Sequence, residues 1–148
     1  GIIPHNMIAI IMSGMDIIAF IGGLSFVSLK KLLAKKIRFL APCLFLTGYL
    51  LLSLGNSAVY VIVGSVLIGF ANGVGIPCII SHTSQKVGKN AASSIMPLLS
   101  AALYGGQFFT PFITSLVSAA FSGGPLLLPY YIAVFSSVLF ALASSAIK

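Results

Sequence analysis

The sequence predicts an all-α fold, a polytopic helical membrane protein with five transmembrane helices. Three observations carry that prediction. Seven of the eight Lys and Arg residues fall in two tight groups, Lys30, Lys31, Lys35, Lys36 and Arg38, then Lys86 and Lys89; Lys148 closes the chain. The stretches outside the groups are apolar and hold one acid, Asp16. The chain as a whole is 59% hydrophobic and 6% charged, with a mean hydropathy of +1.16. A soluble domain carries about 25% charged residues, so a soluble core of 148 residues cannot hide this much apolar surface.

The elements follow from where polar and helix-breaking residues interrupt the apolar runs. A crossing needs roughly 20 apolar residues. The first segment is expected at about 7–29, and a basic loop, Lys30 to Arg38, ends it. The second, at about 39–54, is the shortest, and Gly55, Asn56 and Ser57 turn the chain without a positive charge. The third is expected at about 58–80, followed by a polar loop from Ser81 to Asn90. The fourth runs over about 93–121, where Ser122, Gly123, Gly124 and Pro125 break it. The fifth covers about 126–147.

Positive residues collect in cytoplasmic loops. That rule puts both Lys-bearing loops and the C-terminus on the cytoplasmic side, in the cytoplasmic (inner) membrane of a bacterium. Five crossings then leave the N-terminus outside, which points to at least one helix upstream and to a fragment of a larger protein. Tyr130 and Tyr131 fall at the outer end of the last segment, at headgroup level. The loop around Leu29, Leu32, Leu33 and Ile37 has a weak amphipathic pattern suited to the membrane surface.

The same map excludes other function classes. A net charge of +7 suggests nucleic acid, but the cations sit at helix ends rather than on one continuous face. No acid pair, Cys/His cluster or Gly-Lys-Ser/Thr loop supplies an enzyme mechanism, so no catalytic residue, cofactor or metal site is expected. Cys43 and Cys78 lie in apolar runs and read as small hydrophobes. His5 and His82 read as surface residues.

Candidate functional residues stand out against this background. An ionised Asp16 inside a membrane helix is costly unless it faces water or a partner. Ala19 and Gly23 follow it on the same face, where another backbone or a cavity can come close. In the fourth segment Ser93, Pro97, Ser100, Tyr104, Gln107, Pro111, Thr114 and Ser118 recur at alternating steps of three and four, on one helical face. Such a stripe is costly against lipid. It therefore faces a cavity, with Tyr104 and Gln107 near its middle and Ser100, Thr114 and Ser118 as lining, or else it bonds to neighbouring helices. In the third segment Ser65, Gly69, Gly73 and Pro77 form a small-residue packing face, beside which Asn72 can reach a solute. The second and fifth segments, apolar apart from single residues such as Thr47, Ser136 and Ser137, read as lipid-facing supports.

Three stretches carry a likeness to a known family. Gly69-Phe-Ala-Asn-Gly-Val-Gly-Ile-Pro77 resembles the glycine-rich tenth helix of major facilitator superfamily transporters, and Tyr104-Gly-Gly-Gln-Phe-Phe-Thr-Pro111 resembles their eleventh. The basic loop resembles the Gly-x-x-x-Asp-Arg-x-Gly-Arg-Arg signature between the eighth and ninth helices. Ala34 stands for the second Gly, Lys35 and Lys36 for the paired Arg, and Lys31 where an Asp is expected, a departure that removes any gating contact of that Asp. The resemblance covers essentially the whole chain. It implies the eighth to twelfth helices of a twelve-helix, alternating-access protein whose halves rock about a central site. Its implied partners are the lipid bilayer, a small-molecule solute, protons and the missing N-terminal half.

Two functions follow as expectations. The first is secondary active transport of a small solute, as symporter or antiporter, with a drug or sugar efflux-type carrier among the options. There Asp16 titrates or recognises a cation, and Asn72, Tyr104 and Gln107 contact solute. The second is a self-contained helical assembly or interaction subunit without transport activity, joined to its partners through the small-residue face of the third segment.

Overall fold

The computed structural model describes residues 5–55, 57–87, 89–120 and 128–146, and every regular element among them is helical. The elements are α1 (His5–Leu33), a 3₁₀ turn (Ala34–Lys36), α2 (Ile37–Ser53), α3 (Ala58–Val87), α4 (Lys89–Ala120) and α5 (Leu128–Ala146). Five helices in this order match the five segments expected from the sequence.

Two stretches expected as loops are helical instead. The segment Lys30–Arg38 is the last turn of α1, one 3₁₀ turn and the first turn of α2. Lys30 and Lys31 do not stop α1, because cations at a helix C-terminus meet the negative end of its dipole favourably. The reversal happens at Ala34, whose φ of 46° puts it in the left-handed region. The segment Ser81–Val87 continues α3. It contains no Gly or Pro to end the helix, and the Gln85 side chain donates to Ser81 Oγ one turn back at 3.5 Å. His82 is thus an exposed helical residue rather than part of a loop. The expected turn at Ser122–Pro125 lies outside the described residues, as does Asn56.

Between α2 and α3 the chain turns as its Gly55 predicts. Leu54 donates to the Leu50 carbonyl at 3.0 Å and Gly55 to that of Leu52 at 3.3 Å. The Ser57 hydroxyl accepts from the Val59 amide at 3.3 Å, capping one of the free donors at the start of α3.

Among the described residues two spans, Met7–Leu33 and Ala58–Val87, are long and apolar enough to cross a bilayer. Ile37–Ser53 and Tyr130–Leu139 are apolar but shorter. The 17 residues of α2 rise about 26 Å, just under the roughly 30 Å of a hydrocarbon core. α4 has the length, with 32 residues, but its polar stripe dilutes its apolar character.

The chain divides into two compact units, 1–78 with 130–148, and 79–129. In the first, glycines set the helix pairing. A Cβ at Gly69 would stand 2.6 Å from the Met15 carbonyl oxygen, and one at Gly73 would collide with the carbonyl of Ala19. The contact moves forward four residues on both helices, so α1 and α3 run parallel. On its other side α3 meets α2. A Cβ at Gly64 would lie 2.9 Å from the Gly48 carbonyl oxygen, while one at Gly75 would lie 3.3 Å from Ala41 Cβ. That contact advances on α3 as it retreats on α2, so the pair is antiparallel. α1, α2 and α3 thus run up, down and up. Phe26, Ile37 and Val74 form their shared buried cluster, with Leu29, Leu33, Leu40, Phe70 and Cys78 packed around it. α2 is therefore not only a lipid-facing support: Ile37, Ala41, Pro42 and Gly48 are buried.

The left-handed backbone at Ala34 has a measurable consequence. A Cβ costs about 1–2 kcal/mol in this region, and glycine removes the cost. Ala34→Gly is expected to raise the melting temperature in detergent by a few degrees. A drop of several degrees would contradict the turn geometry.

Candidate solute and ion site

The register of α1 on α3 places the one acid of the chain. Asp16 follows Met15, which touches Gly69, and Asn72 precedes Gly73, which touches Ala19. Successive residues turn by 100° about a helix axis. For two parallel helices that face each other, a step forward on one and a step back on the other lead to the same flank of the seam. Asp16 and Asn72 are thus on one flank. With Met15 level with Gly69 and Ala19 level with Gly73, the two are offset by only two residues, about 3 Å along the axes. Both are exposed. Phe70, one step forward from Gly69, takes the opposite flank and packs on the Phe26–Ile37–Val74 cluster. Ser65 lies two turns before Asn72 on the same face of α3 and is buried.

This arrangement puts a carboxylate and a carboxamide on one flank of a seam that glycines keep narrow. Asp16 accepts hydrogen bonds and attracts cations, and Asn72 both donates and accepts. Asp16 makes no ion pair or hydrogen bond to another described residue. The pair can therefore bind a proton, a small cation or an amine-bearing solute. Ala19 and Gly23, expected to border a backbone or a cavity, border the α3 backbone at Gly73.

The small-residue face of α3 is filled from within the chain. Ser65 and Gly69 are buried, and Gly69 and Gly73 carry the backbone of α1. α1 thus occupies the Gly69–Gly73 part of this face. α3 continues through Pro77 as one helix.

In the second unit α4 runs unbroken through Pro97 and Pro111. Gln107 is exposed, Tyr104 is 71% exposed one turn before it, and Ser100 is half-buried. The Thr114 hydroxyl donates to its own helix, 2.9 Å from the Thr110 carbonyl oxygen and 3.0 Å from that of Pro111. The Thr110 hydroxyl does the same to the Gly106 carbonyl at 2.7 Å. The Thr114 hydroxyl thus has only its acceptor capacity left to offer. The side chain of Ser118 lies outside the described residues. Phe108 packs against Phe109 and Phe112 with ring centroids 5.4 Å apart in each case, an aromatic patch next to Gln107. These rings lie off the polar stripe, and the i, i+4 spacing of Phe108 and Phe112 is their signal in the sequence.

Thr47, Ser136 and Ser137 also bond to the carbonyls of their own helices. Both cysteines are free, Cys43 exposed and Cys78 half-buried. Among the described residues no three His, Cys, Asp or Glu gather as metal ligands. No protein-family model, characterised protein or solved structure matches this chain.

Proposed function

We propose that the chain is the membrane-embedded part of a secondary transporter that moves a small solute by alternating access, coupled to protons. The single observation that carries the reading is that Asp16 and Asn72, a carboxylate and a carboxamide, are exposed on one flank of the α1–α3 seam in otherwise apolar helices. An unmatched carboxylate in such surroundings marks an ion or substrate path by default.

Exposed apolar surface supports the membrane. Along α1, Ile10, Phe20 and Leu24 are each about two-thirds exposed. Soluble monomers do not present contiguous apolar surface on this scale, whereas lipid covers it at no cost. In this reading all five helices cross the bilayer, and the Lys-bearing helix ends and the C-terminus face the cytoplasm. Asp16 takes up and releases the proton, and Asn72 contacts the solute beside it; Tyr104 and Gln107 are candidate solute contacts of the second unit, taken by itself. The likeness of Gly69–Pro77 and Tyr104–Pro111 to two helices of major facilitator transporters supports the same mechanism.

Reconstitution of the natural full-length protein in liposomes tests this. A pH-sensitive dye inside the vesicles reports proton movement when sugars or organic cations are added in turn. Transport predicts a solute-dependent signal with at least one of these classes. Proton flux that no solute changes, with the protein folded and inserted, would overturn it.

A further inference from the structure

We propose that the turn joining α1 to α2 is a docking surface for anionic phospholipid headgroups. The proposal rests on the membrane reading above but not on transport. Lys30 and Lys31 close α1, Lys36 stands in the 3₁₀ turn and Arg38 opens α2, so the reversal at Ala34 brings four cations to one end of the helix pair. Lys35 belongs to the same run in the sequence.

Two of the four are anchored. The Lys30 ammonium lies 5.8 Å from the centroid of the Phe26 ring, and the Arg38 guanidinium 4.8 Å from that of Phe39. Phe26 is itself buried in the cluster shared by α1, α2 and α3, so Lys30 is held by the packed core. The other two, Lys31 and Lys36, are exposed. No acidic side chain meets their charge, because the only one in the chain, Asp16, is some 20 Å away along α1.

Between these cations Leu32 is 81% exposed, the largest exposure of any big apolar side chain described. A leucine in that position, ringed by lysines, suits the boundary between headgroups and acyl chains: the side chain enters the apolar layer while the ammonium groups stay at phosphate level. Each Lys or Arg near an anionic leaflet adds attraction, and a phosphodiester accepts charge-assisted bonds from it. The complement in charge and polarity is a phosphatidylglycerol-type lipid rather than a zwitterionic one.

Native mass spectrometry of the natural full-length protein, released from detergent with phosphatidylglycerol or phosphatidylcholine of the same acyl chains, tests the proposal. The protein is expected to keep phosphatidylglycerol in preference. The double variant Lys31→Gln, Lys36→Gln should lose that preference by roughly tenfold, whereas Lys31→Arg, Lys36→Arg should keep it. Equal retention of both lipids, an unchanged glutamine variant, or an equal loss in the arginine variant would overturn the proposal. So would displacement of the lipid by millimolar inorganic phosphate, which would mark a site for free anions. A protein that stays soluble without detergent and retains neither lipid would sink the membrane reading as well, so the two failures are distinguishable.

Discussion

Asp16→Asn in the natural full-length protein is expected to abolish solute accumulation driven by a pH gradient while leaving solute binding measurable. The substitution keeps size and hydrogen-bonding capacity but removes the titrating group. Asp16 is exposed on a flank of the α1–α3 seam with no partner among the described residues, so the change breaks no packing or ion pair. The loss should therefore fall on coupling and not on folding. Asp16→Glu, which keeps the carboxyl, should retain part of the flux. Asn72→Ala, at the same level of the seam, should weaken solute affinity by roughly tenfold, the worth of one polar contact of about 1.4 kcal/mol. Full pH-driven accumulation by Asp16→Asn would remove the carboxylate from the mechanism.

Gly73→Leu carries the largest expected effect on the fold. At Gly73 even a Cβ would overlap the Ala19 carbonyl, which belongs to helix backbone and cannot swing aside. A leucine there forces α1 off α3 and opens the seam that positions Asp16 against Asn72. Overpacking in a packed interior costs about 1–3 kcal/mol, and more where backbone must move. The variant should lose most of its monodisperse fraction in detergent, and what remains should melt at least 10 °C lower, since about 1 kcal/mol shifts a domain of this size by some 3–5 °C. Gly14→Ala and Gly105→Ala are the matched controls. Nothing lies within 4 Å of a Cβ at either position, so both should melt near the parent protein. A Gly73→Leu protein as stable as these controls would mean that α1 and α3 do not pack at this register.

Much of this architecture is legible in the sequence because it depends on local signals. Charge clusters and apolar run lengths mark five helices, and Gly55 marks the turn before α3. The helix ends at Leu33 and Val87 are less legible. Lysines, serines and threonines look like loop residues, yet nothing in Lys30–Leu33 or Ser81–Val87 breaks a helix. The true breaker is the backbone of Ala34, a residue type that rarely takes a left-handed conformation. Its position is the one where the resemblance to the transporter signature puts a glycine.

The candidate site was legible only as separate residues. Asp16 and Asn72 stand out as polar groups in apolar helices, but their common level depends on which glycine meets which backbone. Spacing along one helix does not contain that register. The face Ser65–Pro77 likewise advertises close approach without naming the helix that approaches. Gly69 and Gly73 show it to be α1.

Transport by this chain requires that it cross a bilayer, with α1 and α3 parallel and α2 antiparallel to them. Single cysteines at Lys31, Ser57 and Lys86, in a natural full-length protein whose Cys43 and Cys78 are replaced by alanine, report this directly. An impermeant maleimide is applied to sealed vesicles of each orientation. Parallel α1 and α3 with an antiparallel α2 predict that positions 31 and 86 label from the cytoplasmic side only and position 57 from the opposite side only. Labelling of positions 31 and 86 from opposite sides, or of all three from one side, would contradict the topology and the transport built on it.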